Sequence, residues 1–228
     1  IISRVKTCKP EDKRAVILPS LRQLKVASIH HEIDAKLAIP KSNNDLLKQA
    51  QLSVKLQSVV AILKEIEKRA EKVLVFAETK AVQAYVCALV TSLFKVQVET
   101  INGDTQAVAT KQETQTRKSI IDRFQTAPGF GVIVMSPVAA GVGLTVVGAN
   151  NVIHLERHWN PAKEAQATDR VYRIGQTRNV NVYIPMALHP KLRSFDQHLN
   201  GLLANKVDLS DAVVANPTIE PNELALCF

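Results

Sequence analysis

Apolar positions along the chain change their rhythm once, and that change divides it. Over residues 1–70, Leu18, Leu21, Leu24 and Ile29 recur near helical spacing. The run Pro40-Lys41-Ser42-Asn43-Asn44-Asp45 interrupts them, and Leu52, Leu56, Val59, Val60, Leu63 and Ile66 resume an apolar helical stripe. From Lys72 short apolar runs alternate with longer amphipathic ones. Val73–Phe76, Val96–Ile101, Val132–Met135, Val152–Leu155 and Val180–Ile184 read as strands, with helices expected around 80–94, 106–126 and 161–174. Such alternation predicts an α/β fold, a parallel sheet with helices on both faces joined by right-handed crossovers. Beyond Pro190 one more helix is expected over 191–204, before a loosely patterned end containing Pro217 and Pro221. The expected organisation is a helical segment 1–70, a sheet domain 71–189, and a helix with tail 190–228.

Composition narrows the class. With 46% hydrophobic residues among 228, a buried core is available, and with only 4% aromatics it must be built from Val, Ile, Leu and Ala. No apolar run approaches the roughly 20 residues of a membrane-spanning helix, so no membrane partner is expected. A net charge of +8, from 29 Lys+Arg against 21 Asp+Glu, suits a polyanionic partner as well as a merely solvated surface. Cys8, Cys87 and Cys227 imply no disulfide framework, which fits an intracellular, reducing compartment: cytoplasm or nucleoid in a bacterium, nucleus in a eukaryote. A chain that begins at Ile1 instead of Met is expected to be cut from a longer polypeptide.

The segment after the fourth strand carries the chemistry. Asn160 is a good N-cap, Pro161 suits the first helical position, Glu164 favours the first turn, and Gly175 can close the helix in the left-handed conformation. On that helix Gln166, Arg170 and Arg173 fall at i, i+4 and i+7 on one face, with Ala167, Val171 and Ile174 on an apolar face beside it. Two guanidiniums on a rigid element at the end of a sheet suit stabilisation of a transferring phosphate. An arbitrary R-x-x-R pair is more often a solvated surface face.

This pair is not arbitrary. Residues 159–176 run W-N-P-A-K-E-A-Q-A-T-D-R-V-Y-R-I-G-Q, which closely resembles motif VI of superfamily 2 helicases in the form peculiar to Swi/Snf-like ATPases. The family usually has an Asp where Glu156 precedes Arg157 and His158. Lys72–Ala77 resembles motif IV, Ile101–Thr105 the G-x-T turn, and Ser136–Thr145 motif V, with Pro137 and Val138 replacing two usual residues. The resemblance covers nearly the whole chain and implies a RecA-like second lobe with a helical N-terminal inter-lobe extension and a C-terminal brace helix near Leu192–Leu203. It implies that Arg173, the preferred finger, and Arg170, with Gln166, act on a nucleotide held by the N-terminal RecA-like lobe, and that Gly143 also approaches that nucleotide. It implies DNA-backbone contacts from Gly103, Thr105, Ser136, Gly141, Gly143 and Thr145, and a minor-groove approach by Trp159. Glycines at such places let backbone N–H groups come close to phosphate.

The function so implied is the second motor lobe of an ATP-dependent translocase or remodeler on double-stranded DNA, using ATP and Mg²⁺ bound mainly by the N-terminal lobe. The chain alone is expected not to hydrolyse ATP, because it has neither a P-loop nor an Asp-Glu step. Gly143 and Gly148 have P-loop spacing, but Ala149 and Asn150 replace the required Lys and Ser/Thr. Its histidines and cysteines form no H-E-x-x-H or C-x-x-C, so no metal site is expected, and no G-x-S-x-G anchors a hydrolase triad. The rival reading is a non-catalytic module that docks DNA or a protein, and further protein partners are left open.

Overall fold

The computed structural model describes residues 13–33, 39–40, 42–106, 116–139 and 143–212. The elements run α1 (Lys13–Ile29), α2 (Asn43–Gln51), α3 (Val54–Lys68), β1 (Lys72–Phe76), α4 (Lys80–Phe94), β2 (Glu99–Ile101), α5 (Arg117–Thr126), β3 (Gly131–Met135), β4 (Asn151–His154), α6 (Pro161–Thr168), β5 (Asn181–Tyr183) and α7 (Phe195–Ala212). The five strands form one sheet in the order β2-β3-β1-β4-β5, every pair parallel. Strands covered on both faces read as unbroken apolar runs, which is why β1 and β3 were visible as Val-Leu-Val-Phe and Val-Ile-Val-Met.

Successive side chains of a strand point to opposite faces, and β1 shows it. Val73 and Val75 join a core with Ile29, Leu46, Leu56, Leu63, Tyr85 and Leu89, so α1 to α4 cover that face. Leu74 and Phe76 join a second core with Ile120, Phe124, Val146, Ala167 and Val171, so α5 and α6 cover the other. The doubly covered α/β sheet expected from the sequence is what the chain forms. It is the RecA-like arrangement.

Several boundaries move. β2 is confined to Glu99–Ile101, while Val96 and Val98 pack against the core as loop, and β5 to Asn181–Tyr183. Both are edge strands, paired on one side only, so fewer ladder bonds hold their ends. Leu52 belongs to the turn between α2 and α3 and is 66% exposed, whereas Leu56, Val59, Leu63 and Ile66 of the same stripe are buried. α5 starts at Arg117 behind a capping box of Thr116 and Ser119, and residues 107–115 of the helix expected there lie outside the described residues. α7 begins at Phe195 instead of 191, behind reciprocal bonds between Ser194 and Gln197, and runs on to Ala212. Among the described residues no helix is long and apolar enough to cross a membrane.

The largest correction concerns the helix expected over 161–174, which stops at Thr168. Its start is as expected: the Asn160 side chain accepts from Ala162 N at 2.9 Å, with Pro161 in the first turn. After Thr168 the bonds tighten, Arg170 N to Ala167 O and Val171 N to Thr168 O, and the Arg170 carbonyl accepts from Val146 N at 2.8 Å across the chain. A tertiary bond thus takes the acceptor that a continuing helix would need.

Candidate functional site

Because α6 ends early, Gln166 lies on a helix while Arg170 and Arg173 lie on the turn that follows. They do not share a helical face, yet all three line one cleft of ≈ 670 Å³, with Tyr172, Gln176 and Arg178 around them. Arg170 is 7% exposed. Its Nη1 donates to Leu144 O at 3.4 Å, and its buried Nε has no partner. Burial, then the like charge of Arg173, pulls the Arg170 guanidinium below its ordinary pKa. An anion entering the cleft would offset both.

Gln176 was not singled out from the sequence, although it closes the W-N-P…G-Q signature. Its Nε2 donates to Val147 O at 3.0 Å and Ala149 O at 2.6 Å, and its Oε1 accepts from Arg178 N at 3.0 Å. Gly175 before it takes φ +102, a left-handed conformation suited to glycine. The arginine turn is therefore fastened to the loop that enters β4, at the edge of the sheet where the strands begin.

Ser136 stands just past the end of β3, and Val146 to Asn150 lead into the start of β4 at the opposite edge. Ser136 N donates to Ile101 O at 2.9 Å. Gly143 is exposed at φ +60, and with Thr145 and Lys118 it lines a second cleft of ≈ 500 Å³ beside α5. Gly141 lies outside the described residues. The Gly148 N–H donates to Gln125 Oε1 at 3.0 Å, and a Cβ there would meet that side chain at 2.8 Å. Its glycine serves helix packing, not phosphate.

At the opposite edge, where the strands end, Asn102 organises the Gly103–Thr105 turn. Its Oδ1 accepts from Asp104 N at 2.9 Å, Thr105 Oγ1 accepts from Asn102 N at 3.1 Å, and Arg117 Nε donates to Thr105 O at 2.9 Å. Gly103 is exposed, with open space where a Cβ would lie. Ligands of open parallel sheets bind beyond the strand ends, and this turn and Ser136 stand there together.

Trp159 is at the same edge but is partly covered. Lys25 Nζ of α1 stands 4.3 Å from its ring centroid, and Phe195 of α7 meets it edge-on at 6.4 Å. Lys25 also donates to Glu78 Oε2 at 2.5 Å. Just before the tryptophan, Glu156 is 1% exposed and accepts from Glu78 N and Thr79 N, both at 2.7 Å, and from Thr79 Oγ1 at 2.9 Å. The carboxylate that replaces the family's Asp therefore ties the end of β4 to the start of α4. Arg157 is held by Glu164, so Glu164 serves an ion pair as well as the helix start. His154 and His158 are both pulled below 6.5 by burial. His158 Nδ1 accepts from Asn160 N at 3.0 Å, as a neutral ring does.

Burial pushes the Glu78 carboxyl up, but the Lys25 ammonium, and less so Arg22 and the His158 ring once acid protonates it, outweigh it and hold it below 4.5. A carboxyl depressed in the fold contributes stability that is fully present above its unfolded pKa and is lost as pH falls through the folded value. The Lys25–Glu78 contact is therefore expected to release only below pH 4.5. Trp159 is the sole tryptophan, so its fluorescence reads this directly. Emission should change in an acid step below that pH, and the step should be absent from Glu78→Gln. An identical step in the variant would rule the contact out as its origin.

The model of the helicase conserved C-terminal domain matches residues 54–175. The chain belongs to the helicase C-terminal domain family. It is 42% identical over 170 residues to the Zorya protein ZorD of Escherichia coli, covering 73% of this chain and 16% of ZorD. It is 31% identical over 202 residues to the putative ATP-dependent helicase/translocase YwqA of Bacillus subtilis, covering 89% of this chain and 20% of YwqA. The Sulfolobus solfataricus SWI2/SNF2 ATPase core in complex with dsDNA superposes with TM-score 0.67 at 27% identity, over 92% of this chain and 40% of that one. The C-terminal part of the Fun30 ATPase domain gives 0.61 at 27% identity, over 78% and 54%. This helicase C-terminal lobe is thus of the Swi2/Snf2 kind, and it spans about a fifth or less of these two curated relatives.

Proposed function

We propose that the chain is the second motor lobe of an ATP-dependent translocase on double-stranded DNA. Arg173 and Arg170, with Gln166, meet the phosphates of a nucleotide held by an N-terminal lobe elsewhere in the polypeptide, and the chain alone does not hydrolyse ATP. The observation that carries this reading is the cleft itself: Arg170, with a buried Nε that no protein group pairs, and Arg173 line it together, and two guanidiniums side by side suit an anionic phosphate. Charge developing on a transferred phosphoryl group is what such donors stabilise. In this reading Mg²⁺ is held mainly by the other lobe.

At the opposite edge, Gly103, Thr105 and Ser136 offer backbone and hydroxyl groups to a DNA backbone, and Gly143 and Thr145 extend that contact toward the cleft. Gly141 belongs to the same proposed set, and Gly143 is proposed to approach the nucleotide as well. Nothing within 4 Å would meet a Cβ at Gly103, so its backbone is open to close approach by a partner. Trp159 reaches the minor groove in this reading only if Lys25 gives way. Residues 1–70 serve as the inter-lobe segment, 71–189 as the lobe and 190–228 as the brace, in a protein that works inside the cell. The test is ATP hydrolysis by the full-length protein with and without duplex DNA, wild type against Arg173→Ala. Stimulation by DNA that the variant loses supports the proposal. An unstimulated wild type, or a normal variant, would leave a docking module instead.

A further inference from the structure

The two arginines that the proposed function needs are on neither a helix nor a strand, since α6 ends at Thr168 and β5 begins at Asn181. A group that acts on a transferring phosphate must nevertheless be fixed to a fraction of an ångström, with its own supports locked. Something other than secondary structure must fix this turn. Hydrogen bonds to the 144–149 loop do so. The Arg170 carbonyl accepts from Val146 N at 2.8 Å. The Gln176 side chain spans the remaining gap, donating to Val147 O and Ala149 O while accepting from Arg178 N.

We propose that Gln176 is a positioning residue: its amide joins the arginine turn to the 146–149 loop, so that the turn and the Gly143–Thr145 segment shift as one body. This rests on the nucleotide-cleft reading above and adds to it a physical link between the proposed DNA contacts and the fingers. Arg178 is held from the same amide and itself donates to Gly148 O at 2.6 Å, which clamps the far end of the turn to the same loop. Gln176 touches no nucleotide in this scheme. Its effect passes through Arg173, since Arg170 is held by its own bonds to the loop, and this separates it from a residue that only stabilises the fold.

A double-mutant cycle in the full-length protein makes that separation. Gln176→Met keeps the length of the side chain and removes both donor and acceptor. With saturating duplex DNA, the variant is expected to lower kcat for ATP hydrolysis about tenfold to a hundredfold, with the ATP KM within about twofold of wild type. In an Arg173→Ala background the same substitution should change kcat by no more than about twofold, because the finger that depends on Gln176 is already gone while Arg170 keeps its own bonds to Val146 N and Leu144 O. Amide exchange at Val146 and Arg178 should quicken in Gln176→Met, while the amides of β1, β3 and β4 keep their protection. If that protection is lost as well, Gln176→Glu replaces it in the cycle, since its side chain still accepts from Arg178 N but cannot donate when ionised.

A kcat equal to wild type overturns the proposal. So does an equal loss in both backgrounds, or a raised KM with kcat intact. If Arg173→Ala itself hydrolyses ATP normally, the nucleotide reading is what fails. Exchange at Val146 and Arg178 then still decides whether Gln176 holds the turn: quickened exchange supports that hold and unchanged exchange overturns it.

Discussion

Arg173→Ala is expected to reduce DNA-stimulated ATP hydrolysis by the full-length protein on the order of a thousandfold, with ATP binding nearly unchanged. The residue is exposed on the cleft rim and takes no part in the core, so the fold should tolerate its loss. An interaction made only in the transition state appears in kcat, not in KM. Arg173→Lys should recover little, because an ammonium is a point charge where the planar guanidinium offers a fork matched to phosphate oxygens. Arg170→Ala should behave differently. That side chain is 7% exposed and packed under the loop, so its removal is expected to lower both kcat and thermal stability. A variant at Arg173 with wild-type kcat would show that the arginine cleft serves something other than hydrolysis.

The second large effect is on stability and lies across the molecule. Lys55 of α3 and Asp196 of α7 form an ion pair at 3.0 Å with side chains 3% and 7% exposed. Asp196 also accepts from Ser28 Oγ of α1 at 3.1 Å and from Ala187 N at 2.7 Å. Burial lowers the Lys55 pKa, and Asp196 opposes that shift only in part. Removing one partner of such a pair leaves an uncompensated charge in the interior. Asp196→Ala or Lys55→Met alone should therefore cost about 3–5 kcal/mol in urea unfolding. The double change Lys55→Met with Asp196→Asn removes both charges and keeps an acceptor for Ala187 N, so it should recover more than half of that loss. Equal destabilisation by the single and double variants would mean that packing, not charge, holds these three helices together.

Much of this protein follows from local pattern along the chain. Unbroken apolar runs at 73–76 and 132–135 become central strands because both of their faces are covered. Asn160 and Pro161 start α6 as their conformational preferences require, and a signature of fixed residues from Trp159 to Gln176 gave the family. The stop of α6 was not legible. Ala167, Val171 and Ile174 repeat at helical spacing, yet Ile174 ends fully exposed, because Val146 N and the Gln176 amide reach the turn from elsewhere in the chain. The burial of two lysines was equally hidden. Lys25 and Lys55 find their carboxylates 53 and 141 residues away, and Glu156 finds its donors 77 and 78 residues back. Local propensity and periodicity act over a few residues. Hydrogen bonds and ion pairs between remote segments leave no such trace, so where the arginines stand and what holds them emerges only once the chain is folded.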